Sequence, residues 1–155
     1  MKKQDKILLA TVNSKKINYA VTADEFSAIA PNIQLGLLSA YVKSKGIPLE
    51  VIDGDMLGLS HDELIDRIEE IDPAVVGFVC TGANPSSSTM TMAGLVDFYV
   101  RFNERKPPIK NFIWGAHPTV LPKRSLDETN ADFVVRGEGY DSIVDLYHCL
   151  RANDS

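Results

Sequence analysis

Short apolar runs alternate along this chain with longer amphipathic stretches, and glycine, proline or a polar cluster closes each of them. Ile7-Leu8-Leu9-Ala10-Thr11-Val12 reads as a buried strand. A polar stretch from Asn13 to Ala30, with Tyr19 and Phe26 set in it, is long for a strand-to-helix connection. Pro31 then opens a helix in which Ile33, Leu37, Leu38, Tyr41 and Val42 share a face, and Lys45-Gly46 closes it. Leu49-Glu50-Val51-Ile52 is a second strand. Ser60 and Glu63 have capping-box spacing at the head of a helix carrying Leu64, Ile65, Ile68 and Ile71. Pro73 marks its end, and Ala74 to Cys80 form a third strand.

After a turn at Asn84-Pro85 and the run Ser86 to Thr89, Met92, Leu95, Val96, Tyr99 and Phe102 follow helical spacing to about Asn103. Pro107-Pro108 precedes a fourth strand near 109–114, and residues 119–130 hold at most a short helix. Phe133-Val134-Val135 is the fifth strand, and a last helix runs from about Asp141 to Leu150. Strands alternating with helices predict an α/β domain, one doubly wound parallel sheet. Right-handed crossovers and five strands favour the flavodoxin-like (Rossmann-like) order 2-1-3-4-5.

A chain of 155 residues fits a single domain over 1–155, and 45% hydrophobic with 24% charged residues is ordinary for a soluble protein. A net charge of −5 argues against nucleic acid as a partner. No run reaches membrane-spanning length and no signal-peptide core opens the chain, which makes the cytoplasm the expected compartment. Two isolated cysteines, Cys80 and Cys149, suggest neither a disulfide framework nor a metal cluster.

In this topology ligands sit at the carboxyl edge of the sheet, where the loops begin at Asn13, Asp53, Thr81, Gly115 and Arg136. Thr81-Gly82-Ala83-Asn84 offers an open turn. Ser86, Ser87, Ser88 and Thr89 bring hydroxyls to a helix start, either as caps or as ligand contacts. Gly115 reads as a strand-end glycine with little packing role that admits a ligand to the backbone, beside Ala116 and His117. Gly137-Glu138-Gly139 is either a second close-approach loop or a plain strand-to-helix turn. A dinucleotide fingerprint or P-loop needs glycines after the first strand, and Asn13-Ser14-Lys15-Lys16 has none. A phosphorylated receiver domain would end its third strand in aspartate, where Cys80-Thr81 stands.

Gly115-Ala116-His117-Pro118-Thr119, then Asp132-Phe133-Val134-Val135-Arg136-Gly137-Glu138-Gly139, resemble the end of the N-terminal cobalamin-binding domain of cobalamin-dependent radical S-adenosylmethionine enzymes. Pro31 with Leu35 to Tyr41, Val51 to Gly54 and Val75 to Gly77 fit the same pattern in order, so the resemblance spans roughly 31–150. Ala116 stands for a usual glycine and Tyr140 for a usual acid. The resemblance implies a domain that binds cobalamin with its base off and its nucleotide tail inserted. Thr81 to Asn84, Ser86 to Thr89, Gly115 to His117 and Gly137 to Gly139 would hold it, and Asn13 and Ser14 would flank the corrin's lower side. The first loop lacks the histidine that ligates cobalt in many such domains; among His61, His117 and His148, only His117 lies at the ligand edge, where a structural or tail-contacting role is expected. A [4Fe–4S] cluster and S-adenosylmethionine would belong to a radical catalytic domain in cis or in trans, because two distant cysteines cannot bind the cluster. A methyltransferase-like enzyme is the implied setting. The alternatives are a cofactor-free regulatory or interaction module, or a flavin- or nucleotide-binding domain.

Overall fold

A computed structural model of the chain describes residues 4–19, 30–82 and 85–153. Phe26 and the middle of the long polar stretch fall outside them. Five parallel strands, β1 (Gln4–Thr11), β2 (Leu49–Asp53), β3 (Pro73–Cys80), β4 (Lys110–Gly115) and β5 (Phe133–Val135), lie in the order β2-β1-β3-β4-β5. The described helices are α1 (Lys15–Tyr19), α2 (Ile33–Ser44), α3 (His61–Ile71), α4 (Pro85–Arg105), α5 (Ala116–Val120), α6 (Pro122–Thr129) and α7 (Tyr140–Asn153). This is the flavodoxin-like doubly wound sheet that the pattern of runs predicts.

The two-residue period of the strands divides the core into two layers. Leu8, Ala10, Val76, Phe78 and Ile113 face α3 and α4, while Ile7, Leu9, Val75, Val79 and Phe112 face α2 and α7. Every residue of β3 is buried, as a central parallel strand requires. Against it α4 seats Phe98, Tyr99 and Phe102, with ring centroids 4.9, 5.4 and 5.6 Å from Phe78. Burial of each such ring is worth roughly 1.5–3 kcal/mol. The one hydroxyl among these four rings is satisfied, since Tyr99 donates to Asn111 Oδ1 at 2.7 Å.

Helix ends follow local chemistry. Ser60 and Glu63 form the reciprocal box at α3, and Asp72 closes that helix in the left-handed conformation just before Pro73 opens β3. At α2 the cap is Asn32, whose side chain accepts from Leu35 N at 2.9 Å. The face that α2 buries is Leu35, Leu38, Ser39 and Val42, while Ile33 and Leu37 stand 75% and 52% exposed. That corrects the expected face: the stripe centres on Leu35, Leu38 and Val42 at i, i+3 and i+7, leaving Ile33 and Leu37 toward solvent. Between β4 and β5 there are two short helices, α6 being the one allowed for within 119–130 and α5 an additional one that begins directly at the end of β4. Pro122 starts the second and Asn130 ends it.

At the amino edge of the sheet, Asp5 of β1 accepts from Tyr147 Oη at 2.6 Å and pairs with Arg151 Nε at 2.6 Å, tying the first strand to the last helix.

Candidate functional site

Two hollows adjoin at the carboxyl edge. The larger, of about 830 Å³, lies among the ends of β3, β4 and β5 and is walled by Leu37, Trp114, Val120 and Tyr140. A second, of about 460 Å³, opens among the ends of β1, β2 and β3, with Thr11, Asn32, Asp53, Asp55 and Cys80 in its lining. Gln34, Thr81 and Gly82 border both. The second lies at the switch point, where β1 and β3 are neighbours and their connections leave in opposite directions. Asn32 braces that point. Besides capping α2 it donates to Thr81 O at 3.2 Å and accepts from Thr81 Oγ1 at 3.1 Å.

Of the residues expected at the site, Thr81, Gly82, Ser88, Gly115, Ala116, Gly137 and Glu138 come together around the larger hollow. Asn13 lines a separate cavity with His61 and Asp97, and its side chain accepts from Lys15 N at 3.2 Å. Ser14 is buried under α4, where Gly94 leaves no room for a side chain against Ser14 Cα. Ser87 packs on Gly82. Gly139 has a φ of +64° and lies against Val135 and Trp114 rather than in the hollow. Ala83, Asn84 and the side chain of Ser86 lie outside the described residues.

Gly115 has a different reason for being glycine from the one expected. Its φ is +152°, and a Cβ there would overlap the carbonyl of Cys80, its register partner on β3. Strand packing demands the glycine before any ligand does, so the expectation of little packing role is overturned. Ser88 also resolves differently. It stands inside α4, past the cap position, donating to Cys80 O at 2.5 Å and accepting from His117 N at 3.0 Å. It therefore ties the ends of β3 and β4 together. His117 sits with Nδ1 3.2 Å from Thr89 Oγ1, and its ring lines neither hollow.

The electrostatics are one-sided. Among the described lining residues of the two hollows there is no Lys, Arg or His, whereas Asp53, Asp55 and Glu138 are acids. Thr11 donates to Asp53 at 2.6 Å. Burial raises the Asp55 carboxyl above the usual carboxylate range, against the pull of Lys15, with Asp53 adding to the rise and a backbone hydrogen bond from Ser14 opposing it. Its Oδ1 is buried without a hydrogen-bond partner. Burial likewise pushes up the Cys80 thiol, which donates to Ser88 O at 3.3 Å.

Sequence reasoning missed Gln34, Leu37, Trp114, Thr119, Val120 and Tyr140, all of which line the larger hollow. Trp114 and Tyr140 carried a usable signal, since each is an aromatic next to a glycine of a carboxyl-edge loop. Gln34 and Val120 carried none, because only the tertiary fold brings residues of α2 and α5 to the same hollow.

The site and fold together define a ligand-binding α/β domain with its pocket at the carboxyl edge of a doubly wound sheet. Residues 19–146 match the model of the B12 binding domain, and the chain belongs to that family. Cytidylyl-2-hydroxyethylphosphonate methyltransferase of Streptomyces wedmorensis is 33% identical over 92 residues, which cover 57% of this chain and 16% of that protein. The radical S-adenosylmethionine methyltransferase TsrM from Kitasatospora setae, solved with tryptophan and a S-adenosylmethionine analogue, superposes with a TM-score of 0.73 at 16% identity, over 97% of this chain and 26% of that one. The cobalamin-dependent radical enzyme OxsB, solved with aqua-cobalamin and S-adenosylmethionine, gives 0.68 at 17% identity, over 96% and 19%. At these identities the two structures share the fold. The chain thus spans about a fifth of the length of these three proteins. No described helix is long and apolar enough to cross a membrane.

Proposed function

We propose that this chain holds cobalamin in a base-off state for a radical S-adenosylmethionine catalytic domain of methyltransferase type, acting in cis or in trans. The observation that carries the reading is the pair of adjoining hollows at the carboxyl edge, one of them at the switch point, free of basic side chains among their described lining residues. Their size suits a large two-part ligand: single small-molecule pockets run to roughly 300–1,000 Å³. Their charge suits it too. A flavin mononucleotide carries a phosphate dianion and needs donors or cations to receive it, whereas the corrin–cobalt unit is cationic and offsets the single charge of its phosphodiester. Acids beside a cationic ring are complementary.

On this reading the corrin lies over the ends of β1 and β3, near Thr11, Asp53, Asp55, Thr81 and Gly82. The nucleotide tail enters the larger hollow past Gly115, Ala116, Gly137 and Glu138. Asn13 and Ser14 set the first loop, Ser14 through its seat against Gly94. His117 serves as a structural residue bound to Thr89 and Ser88, which agrees with a cobalt that it does not ligate. When bound, cobalamin supplies a cobalt centre able to carry a methyl group. The cluster and S-adenosylmethionine belong to the partner domain, neither nucleic acid nor membrane is a partner, and the cytoplasm is the compartment.

Equilibrium dialysis with hydroxocobalamin tests this. Folded protein should retain it in equimolar amount. After reduction to Co(II), electron paramagnetic resonance should show cobalt lines without nitrogen splitting. Absence of retention by protein with native circular dichroism refutes cobalamin binding. Triplet splitting that disappears in His117→Ala refutes the unligated cobalt.

A further inference from the structure

Gly54 shapes the turn that follows β2. A Cβ there would come within 2.5 Å of Thr11 O, so the turn lies tight against the end of β1. Leu57 N donates back to Asp53 O and Leu59 N to Gly54 O, each at 3.0 Å, which ties the loop down. On either side of Gly54 stand Asp53 and Asp55, both in the lining of the hollow among the ends of β1, β2 and β3. Asp53 is held by one oxygen: its Oδ1 accepts from Thr11 Oγ1 at 2.6 Å and from Met56 N at 3.2 Å. Among the described residues nothing bonds its Oδ2. Asp55 Oδ1 is likewise without a partner. The hydroxyls nearby are already committed. Thr11 gives its proton to Asp53, Thr81 to Asn32, and Thr91 to Ser88 O at 3.0 Å. Asn32 keeps one amide hydrogen beyond the one on Thr81 O, and Gln34 lies on the exposed rim. Lys15 acts on Asp55 from outside the lining. The fixed, charged capacity of this hollow is therefore that of an acceptor.

We infer that Asp53 accepts a hydrogen bond from a propionamide side chain of the corrin, with Asp55 beside it, and that the pair distinguishes the fully amidated ring from one bearing a free carboxylate at that position. The inference rests on the reading that cobalamin binds with its tail inserted. In cobalamin the propionamides project from the same face of the corrin as the nucleotide tail. A ring whose tail enters the carboxyl edge therefore turns these amides toward the strand ends. An amide N–H then meets an ionised acceptor, which makes the stronger class of hydrogen bond. Thr11 and Met56 N already fix that acceptor, so little ordering remains to be done on binding. A propionate in the same place brings no N–H and sets a like charge beside two acids, the arrangement by which interfaces reject a wrong partner.

Equilibrium dialysis on the 155-residue chain compares hydroxocobalamin with its isomeric monoacids, each with a single propionamide hydrolysed to propionate. The isomers share one net charge, so the chain's overall −5 acts on all of them alike and only position separates them. At least one isomer is expected to bind about tenfold or more weaker than hydroxocobalamin, and about threefold or more weaker than the best of the isomers. Asp53→Asn keeps the size of the side chain and is expected to narrow the tenfold ratio to about threefold or less. If that variant fails to fold, Asp55→Asn decides, and should narrow the same ratio by about twofold or more. Isomers that all bind as tightly as hydroxocobalamin, or that are all weakened alike, overturn the inference while cobalamin binding stands. A ratio unmoved in the deciding variant, with circular dichroism showing it folded, overturns it too. Retention of none of these corrinoids, hydroxocobalamin included, overturns the proposed function itself, and this inference with it.

Discussion

Replacing Gly115 by alanine separates two explanations of the same glycine. If it served only to admit a ligand, the unliganded protein would hardly notice the methyl, as surface changes typically stay within about 0.5 kcal/mol. The structure argues otherwise. The added Cβ would overlap the Cys80 carbonyl oxygen, with the carbonyl carbon 2.6 Å and Cys80 Cα 3.3 Å away. Both sides of that clash are backbone of paired strands, and the Cys80 carbonyl is further held by Ser88 at 2.5 Å. Neither side can swing aside as a long side chain would. Overpacking contributes about 1–3 kcal/mol and a side chain at a φ of +152° about 1–3 more, so the loss should be about 2–6 kcal/mol. For a domain of this size each kcal/mol lowers the melting temperature by roughly 2–4 °C, which gives about 4–24 °C in all. Urea and thermal unfolding of the ligand-free protein measure it. Gly137→Ala is the internal control, with φ +69° but nothing within 4 Å of its Cβ, and should lose only about 1–2 kcal/mol. A loss below about 1 kcal/mol for Gly115→Ala would refute the packing argument.

Two further predictions concern titrating groups. Burial, and then Asp5, push the Tyr147 hydroxyl up to about 12. Because the folded value lies above the unfolded one, its stability contribution is complete below about pH 10 and is lost as the pH rises toward 12. Tyr147→Phe should therefore lose less stability than the native chain between those limits, by on the order of 2 kcal/mol in urea unfolding; identical pH profiles would count against it. Asp55 is also raised, chiefly by burial, so its contribution is present at low pH and already lost once the carboxyl is ionised at neutral pH. Asp55→Asn should then melt at neutral pH no lower than the native chain, and a fall of more than about 3 °C would show that its contacts with Lys15 and Ser14 outweigh desolvation.

The strands were legible because β3 and its neighbours are continuous apolar runs between breakers, the mark of a sheet covered on both faces. The Ser60–Glu63 box was legible because all its chemistry is local. The edge of the sheet was legible as a site because strand-end glycines and polar turns recur there. What stayed hidden depends on partners distant in sequence. Leu35, Leu37 and Leu38 are alike in composition, and only the packing of α2 on β1 and α7 decides which face is buried. Gly115 could be seen as a special position, but its reason lies in Cys80, 35 positions earlier. Ser88 looked like a cap because serine near a helix start commonly is one. Its actual role needs the β4 end beside it. The apolar wall of Leu37, Trp114, Val120 and Tyr140 comes from four different elements, and no local pattern assembles it.

The tie between Asp5 and the pair Tyr147 and Arg151 has a practical consequence for handling the molecule. It places residues 5 and 151 side by side, at the end of the sheet away from the hollows. Tyr140, at the head of the same 14-residue helix, borders the larger hollow, roughly 16 Å from residue 151 at 1.5 Å per residue. A dye or surface anchor attached beside either residue therefore sits at the back of the molecule and leaves the opening facing solution.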